Sequence, residues 1–275
     1  MDRIRDGSDM IDPYGRTIKI IRISVTDRCN YRCVYCMPAS GVPDIPHEKI
    51  MRYEEIRDFC VVAVGMGIRR FRLTGGEPLV RPGVVDLVRM IRAIPGVEEI
   101  ALTTNASRLA PVAGDLKAAG LDRVNISLDT LDPDRFREIT RGGDIRDVLA
   151  GIDAALAAGL TPVKLNIVVF PGEGDADARA VEAFAAEKGC QSRRIRKMDL
   201  AAGEFDVVQH SDRGDCRVCN RLRLTSHGYV RSCLLHDIMF SVRELGAEEA
   251  IRQAVRNKPE RGTGTSVSGM NRIGG

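Results

Sequence analysis

The sequence predicts an α/β chain, built as a partial (β/α)6 barrel and followed by a smaller C-terminal region. Three observations carry that expectation. Short β-branched runs alternate with helical stretches through residues 19–197, polar motifs recur at the ends of those runs, and six of the eight cysteines fall in two tight groups. Alternating strand and helix implies a parallel sheet with crossover helices. Six such units suffice for an open, partial barrel and fall short of a closed eight-fold one.

Strands are expected at 18–25 (IKIIRISV), 69–74 (RRFRLT), 98–104 (EEIALTT), 123–129 (RVNISLD), 163–169 (VKLNIVV) and 192–197 (SRRIRK). Between them, segments such as 53–67, 84–94 and 144–159 carry apolar residues at helical spacing. A composition shift at Ala201-Ala202-Gly203 divides a barrel over 1–200 from an appendage over 201–275. The appendage reads as a hairpin at LRLTSHGYVRSC with His227-Gly228 in its turn, a helix near 247–257 and a Gly/Ser-rich tail.

Composition narrows the function. Of 275 residues, 44% are hydrophobic and 29% charged, as in a soluble globular protein. Aromatic residues are 4% with no Trp, so the core must come from Val, Ile, Leu and Ala. The 41 basic and 38 acidic residues leave a charge of +3, too small and dispersed for a nucleic-acid surface. No run approaches the roughly 18 apolar residues of a spanning helix. The charged N-terminus MDRIRDGSDMIDPYG lacks the apolar stretch of a signal peptide. A cytoplasmic location with no membrane partner is therefore expected. There thiols stay reduced, which argues against a disulfide framework. Cys60 and Cys190 stand alone in apolar segments and read as core thiols.

Four groups of residues carry chemistry. Cys29, Cys33 and Cys36, spaced C-x3-C-x2-C after the first strand, offer three thiolates to three irons of a cubane cluster and leave a fourth iron open. A structural zinc would want four ligands, and this loop has no His. Gly75-Gly76-Glu77-Pro78 follows the second strand; its glycines let backbone approach a ligand, and Glu77 offers an acceptor to an ammonium group. The bland reading of this segment is a turn with a capping acid. Cys216, Cys219 and Cys233 form a second triad across the hairpin, with zinc as the competing reading and His210, His227 or His236 as a fourth ligand. Last comes a basic set: Arg22, Arg72, Lys164, Arg193, Arg194, Arg196, Lys197, Arg221 and Arg223. Any one of these alone reads as a solvated surface charge, but several at one barrel mouth would form an anion pocket for a phosphorylated substrate.

These segments resemble the radical S-adenosylmethionine superfamily and, within it, the GTP 3′,8-cyclase family of molybdenum cofactor biosynthesis. The resemblance runs from about residue 11 to the last residue. It rests on IDPYGRTIKIIRISVTDRCNYRCVYCMP, PHEKIMRYEEI, RLTGGEPLVR, LKAAGLDRVNISLDTLDPDRFREITRGGD, TPVKLNIVV, CRVCNRLRLTSHGYVRSCL and the final Gly274-Gly275. It implies two 4Fe–4S clusters, one on Cys29, Cys33 and Cys36 and an auxiliary one on Cys216, Cys219 and Cys233. S-Adenosylmethionine would be cleaved to a 5′-deoxyadenosyl radical that takes hydrogen from C3′ of GTP, and the C3′ radical would add to C8. Tyr35, Gly75, Gly76, Glu77, Thr104, Ser127, Asn166 and Arg193 would contact S-adenosylmethionine. Arg22, Lys164, Arg221, Arg223, Gly274 and Gly275 would serve the nucleotide. A low-potential electron donor and the next enzyme of the pathway are the implied partners, and a homodimer is open.

The chain departs from the family on the substrate side. Only Asp199 to Asp215 separate the sixth strand from the second cysteine group, where the family is longer. Ala106 replaces a glycine, the sixth strand reads RRIRKMD, and Gly174-Asp175 replaces Asn-Asp. Another nucleotide or a peptide stays open as the substrate, and a zinc-binding interaction module without turnover is the alternative of a different class.

Overall fold

The computed structural model describes residues 10–41, 43–170, 172, 175–208, 214–266 and 270. The six expected strands are all present: β3 (Ile20–Ser24), β4 (Arg70–Thr74), β5 (Glu99–Thr104), β6 (Arg123–Ser127), β7 (Lys164–Val169) and β8 (Gln191–Arg196). They pair in parallel in chain order. Their crossovers are α1 (Tyr53–Gly65), α2 (Val84–Arg92), α3 (Ala113–Ala118), α4 (Pro133–Thr140) with α5 (Ile145–Ala157), and α6 (Ala176–Glu187). A short ribbon of β1 (Met10–Ile11) and β2 (Thr17–Ile18) precedes the barrel.

The strands alternate in chemistry. Ile21, Ile23, Phe71, Leu73, Ile100, Leu102, Val124, Ile126, Leu165 and Ile167 belong to the apolar core that the helices cover. Each fully buried Ile or Leu contributes about 1.5–3 kcal/mol. Intervening positions carry Arg22, Arg72, Thr103, Asn125, Ser127, Lys164 and Asn166. Because successive side chains on a strand point to opposite faces, the other face is polar. A closed parallel barrel normally fills its interior with Val, Ile and Leu; this one does not.

The C-terminal region joins the same sheet. β9 (Arg221–Leu224) pairs parallel with β3, and β10 (Tyr229–Arg231) and β11 (Met239–Ser241) follow as antiparallel strands, giving nine strands in the order β11-β10-β9-β3-β4-β5-β6-β7-β8. The expected hairpin is thus β9–β10. Its turn is closed by Gly228 N–H donating to Thr225 O at 3.1 Å, with Gly228 at φ +88°. α7 (Val242–Leu245) and α8 (Ala247–Arg256) complete the fold, and α8 packs on α1 and β10. Near the expected boundary, Asp199 bridges Glu204, and Gly203 lies so close to the Thr263 backbone that a Cβ would come within 2.4 Å of it.

Candidate functional site

The loop that carries Cys29, Cys33 and Cys36 leaves the C-terminal end of β3 and is held from outside. Arg32 and Val34 N–H groups donate to Thr140 and Ile139 carbonyls at the end of α4, at 3.0 and 2.9 Å. The Arg32 guanidinium donates to Cys29 O at 2.6 Å and Tyr31 O at 3.0 Å, and Arg141 donates to Arg32 O and Met37 O. Cys36 and Met37 N–H groups turn back onto Cys33 O. The loop is therefore shaped by the protein itself. Burial pushes the Cys29 and Cys33 thiols up; at Cys33 the neighbouring Cys36 and Asp129 add to it. A free thiol there stays protonated, and a bound metal would displace the proton.

Gly75 and Gly76 serve this loop directly. A Cβ on Gly75 would lie 2.4 Å from Thr26 O, and one on Gly76 would lie 2.2 Å from Arg28 O. They pack two backbones closely together, and both also line the cavity, where the sequence expects them to approach a ligand. Glu77 follows, 1% exposed. Its Oε1 accepts from Leu79 N–H at 3.0 Å and Thr104 Oγ1 at 2.7 Å, and its Oε2 accepts from Asn105 N–H at 2.6 Å. Burial nonetheless pushes its carboxyl up to about 7. A carboxylate has about four acceptor positions, so Oε2 keeps room for one donor from an ammonium group. Thr104 also accepts from Ala106 N–H at 2.9 Å, so its hydroxyl is engaged within the protein, holding Glu77.

Tyr35 donates its hydroxyl to Asp129 Oδ2 at 2.8 Å, and Val168 N–H donates to Oδ1 at 2.7 Å. This pair ties the cysteine loop to the ends of β6 and β7. Burial raises the Asp129 carboxyl to about 6. The sequence places Asp129 at a strand end without showing this part.

The second triad stands opposite. Cys216 opens a short turn capped by the Asp215 carboxylate, Cys219 closes it, and Cys233 follows β10. Arg16 reaches in from the β1–β2 ribbon: its guanidinium donates to Cys216 O at 2.7 Å, Glu260 O at 2.9 Å and Pro259 O at 2.7 Å, with Nε on the buried Asp12 carboxylate at 2.5 Å. Gly262 comes against Cys233, where a Cβ would lie 3.3 Å from its Sγ. Arg16 is absent from the residues that sequence reasoning singles out; a buried arginine inside a charged N-terminal stretch has no local signature.

Both triads line one cavity of about 330 Å³, together with Arg22, Tyr35, Gly75, Gly76, Glu77, Thr104, Ser127, Asn166, Arg221 and Arg223. Lys164 and Arg193 lie outside its lining, in a basic layer with Arg72 and Arg123. Burial, then Arg193, Arg123 and Arg72, push Lys164 down to about 8, and burial with Arg123 and Arg221 lowers Arg72 to about 10. Glu99 answers Arg123 through two hydrogen bonds of 3.1 and 2.7 Å. Arg72 is 7% exposed and its Nε has no hydrogen-bond partner among the described residues. Arg194 leaves the expected basic set: it points away from this layer and pairs with Glu182 of α6 at 2.6 Å and Asp175 at 2.8 Å. Arg196 pairs with Asp206 at 3.1 Å and lines the cavity near Lys197.

The zinc reading finds little footing. Among the described residues no three His, Cys, Asp or Glu side chains could hold a single metal ion. A cubane spreads its thiolates over separate irons and needs no such convergence. His236 Nδ1 accepts from Ile238 N–H at 3.2 Å, and the His227 ring lies tilted against Tyr229 with centroids 5.0 Å apart. His210, Gly274 and Gly275 lie outside the described residues.

Residues 23–185 match the family model of the Radical SAM superfamily. The chain is 43% identical to the GTP 3′,8-cyclase of Heliobacterium modesticaldum, over 82% of this chain and 83% of that one. It is 47% identical to the GTP 3′,8-cyclase of Moorella thermoacetica, over 83% and 84%. Among solved structures, Streptococcus suis SuiB bound to S-adenosylmethionine superposes with a TM-score of 0.65 at 12% identity, over 90% of this chain and 66% of that one. This last likeness is one of fold.

Proposed function

The chain belongs to the radical SAM superfamily and within it to the GTP 3′,8-cyclase family, and from that premise we propose how its residues cleave S-adenosylmethionine and cyclise GTP. The observation that carries the reading is a single cavity with a cysteine triad at each side and a basic barrel wall between them. Cys29, Cys33 and Cys36 would hold a 4Fe–4S cluster with one open iron, which when bound supplies the electron that splits S-adenosylmethionine into methionine and the 5′-deoxyadenosyl radical. The donor set fits: three thiols on a backbone already fixed by Arg32, Arg141 and the end of α4.

Glu77 takes the methionine ammonium. Thr104 and the Asn105 N–H hold its carboxylate, and the ammonium restores the ionised form that burial opposes. Tyr35, braced by Asp129, forms the wall beside the cysteine loop, and Ser127 and Asn166 offer polar groups at the ends of β6 and β7. Arg22, Arg221 and Arg223 face the nucleotide from adjacent strands, while Arg72 and Lys164 hold its phosphates and Arg193 stays with the S-adenosylmethionine contacts. A buried guanidinium with an unpartnered Nε suits an anion, since an unmatched cation in a dry barrel costs several kcal/mol. Cys216, Cys219 and Cys233 would hold the second 4Fe–4S cluster on the far side of the substrate. A low-potential electron donor and a cytoplasmic setting complete the reading.

Anaerobically reconstituted, reduced protein mixed with S-adenosylmethionine and GTP tests it. The expected result is equimolar 5′-deoxyadenosine and 3′,8-cyclo-7,8-dihydro-GTP. Background 5′-deoxyadenosine without cyclised nucleotide would remove GTP as the substrate.

A further inference from the structure

Beside the second triad lies a lysine that the reaction just described does not use. Lys258 follows α8 and is 3% exposed. Its ammonium donates to Arg221 O at 2.8 Å and Ser232 O at 2.8 Å. Arg221 is two residues after Cys219, and Ser232 immediately precedes Cys233. One side chain therefore ties together the two strands that carry the thiols. The same ammonium acts on the nearby Cys219 thiol and lines the cavity with all three cysteines. The two residues after it, Pro259 and Glu260, are gripped through their carbonyls by Arg16, which also holds Cys216 O. All three cysteines of the triad are thus reached through the segment 258–260.

Two carbonyls satisfy hydrogens of this ammonium but do not neutralise its charge. Lys258 makes no ion pair with a carboxylate among the described residues. A buried cation without a counter-charge is costly. The groups within reach that can become anionic are the thiols. A cluster on thiolates carries negative charge and gains one more on reduction, and hydrogen bonds and charges at its sulfurs set its potential.

We propose that Lys258 is a positioning residue for the second cysteine triad, one that fixes Cys219 and Cys233 and makes the cluster held there easier to reduce. This rests on the reading that the second triad holds a cluster. It concerns neither substrate binding nor the first cluster, and α8 with its following turn is the element that delivers the charge.

The test uses the full-length, anaerobically reconstituted protein. Iron is counted, and the cluster signal that S-adenosylmethionine does not perturb is titrated by EPR against potential. Wild type should carry about eight irons. Lys258→Met should shift the midpoint of that signal to more negative values, or drop iron to about four with the S-adenosylmethionine-sensitive signal intact. Lys258→Arg, which keeps the charge, should restore both properties. Lys258→Met with wild-type iron and wild-type midpoint would overturn the proposal. So would loss of both clusters in Met and Arg variants alike, which marks a residue needed for folding only. A wild type with only about four irons would instead overturn the two-cluster reading, and the role of Lys258 with it.

Discussion

The two cysteine triads face one cavity yet sit in opposite electrostatic settings. Around Cys29, Cys33 and Cys36, burial raises the thiols and the Glu77 and Asp129 carboxyls lie close by, each itself raised by burial. Around Cys219 burial also acts upward, but the charges of Lys258 and Arg221 outweigh it and the thiol lies below its usual value. The surroundings of Cys29 and Cys33 thus resist added negative charge, and those of Cys219 favour it. In the proposed reading, a cluster that gives an electron to a sulfonium gains from the first setting, and a cluster on the second triad would gain from the second. Cations hold both backbone frames: Arg32 from within the first loop with Arg141 from the end of α4, and Arg16 with Lys258 at the second.

The comparison breaks most sharply by removing one thiol at each side. Cys33→Ser should cut 5′-deoxyadenosine formation by at least ~10³-fold, with the second cluster's signal still present. Cys219→Ser should spare S-adenosylmethionine cleavage while cyclised product disappears. Equal loss of cleavage in both variants, by product chromatography, would erase the division of labour.

Glu77→Gln comes next. Losing a buried, charge-assisted acceptor costs about 1.5–3 kcal/mol, or roughly 10–150-fold in S-adenosylmethionine affinity. The sign of its pH dependence follows from a carboxyl raised to about 7. An ammonium binds the ionised form, so binding below that value must release the proton. Affinity should therefore fall as pH drops below about 7, and the Gln variant should lose that slope in isothermal titration.

Arg72→Met probes the wall between the triads. Removing one charge-assisted hydrogen bond to phosphate should raise KM for GTP about 10–100-fold, while uncoupled S-adenosylmethionine cleavage stays near wild type. The smallest effect belongs to Arg194→Met on the outer face. Its pairs with Glu182 and Asp175 are partly exposed, so stability should change by less than about 1 kcal/mol with KM unchanged.

Much of the fold and site is legible in the sequence because it is written locally. Strand runs, C-x3-C-x2-C and the GGEP turn each occupy a few consecutive residues, and parallel topology sends strand ends to one side. The place of the first triad at the barrel mouth is legible for that reason, whereas the second triad, which precedes β9 and follows β10, lies at the other end of the strands. What is not legible depends on distant parts of the chain. Arg16 meets Cys216 across 200 residues of sequence, and Lys258 meets Ser232 only because α8 folds back along β10. Arg194 is misread from sequence because it differs from Arg193 only in strand parity, and parity decides whether a side chain meets the barrel interior or α6. The alternation in RFRLT and RVNIS is a signal available for the polar interior, since buried parallel strands usually run apolar throughout.

In the proposed reaction the radical made at the first triad attacks GTP held against the second. Single-turnover reaction with GTP deuterated at C3′ tests it most directly. One deuterium should appear in 5′-deoxyadenosine for each cyclised nucleotide formed, in wild type and not in Cys219→Ser. Unlabelled 5′-deoxyadenosine, or label transfer that persists unchanged without the second triad, would contradict it.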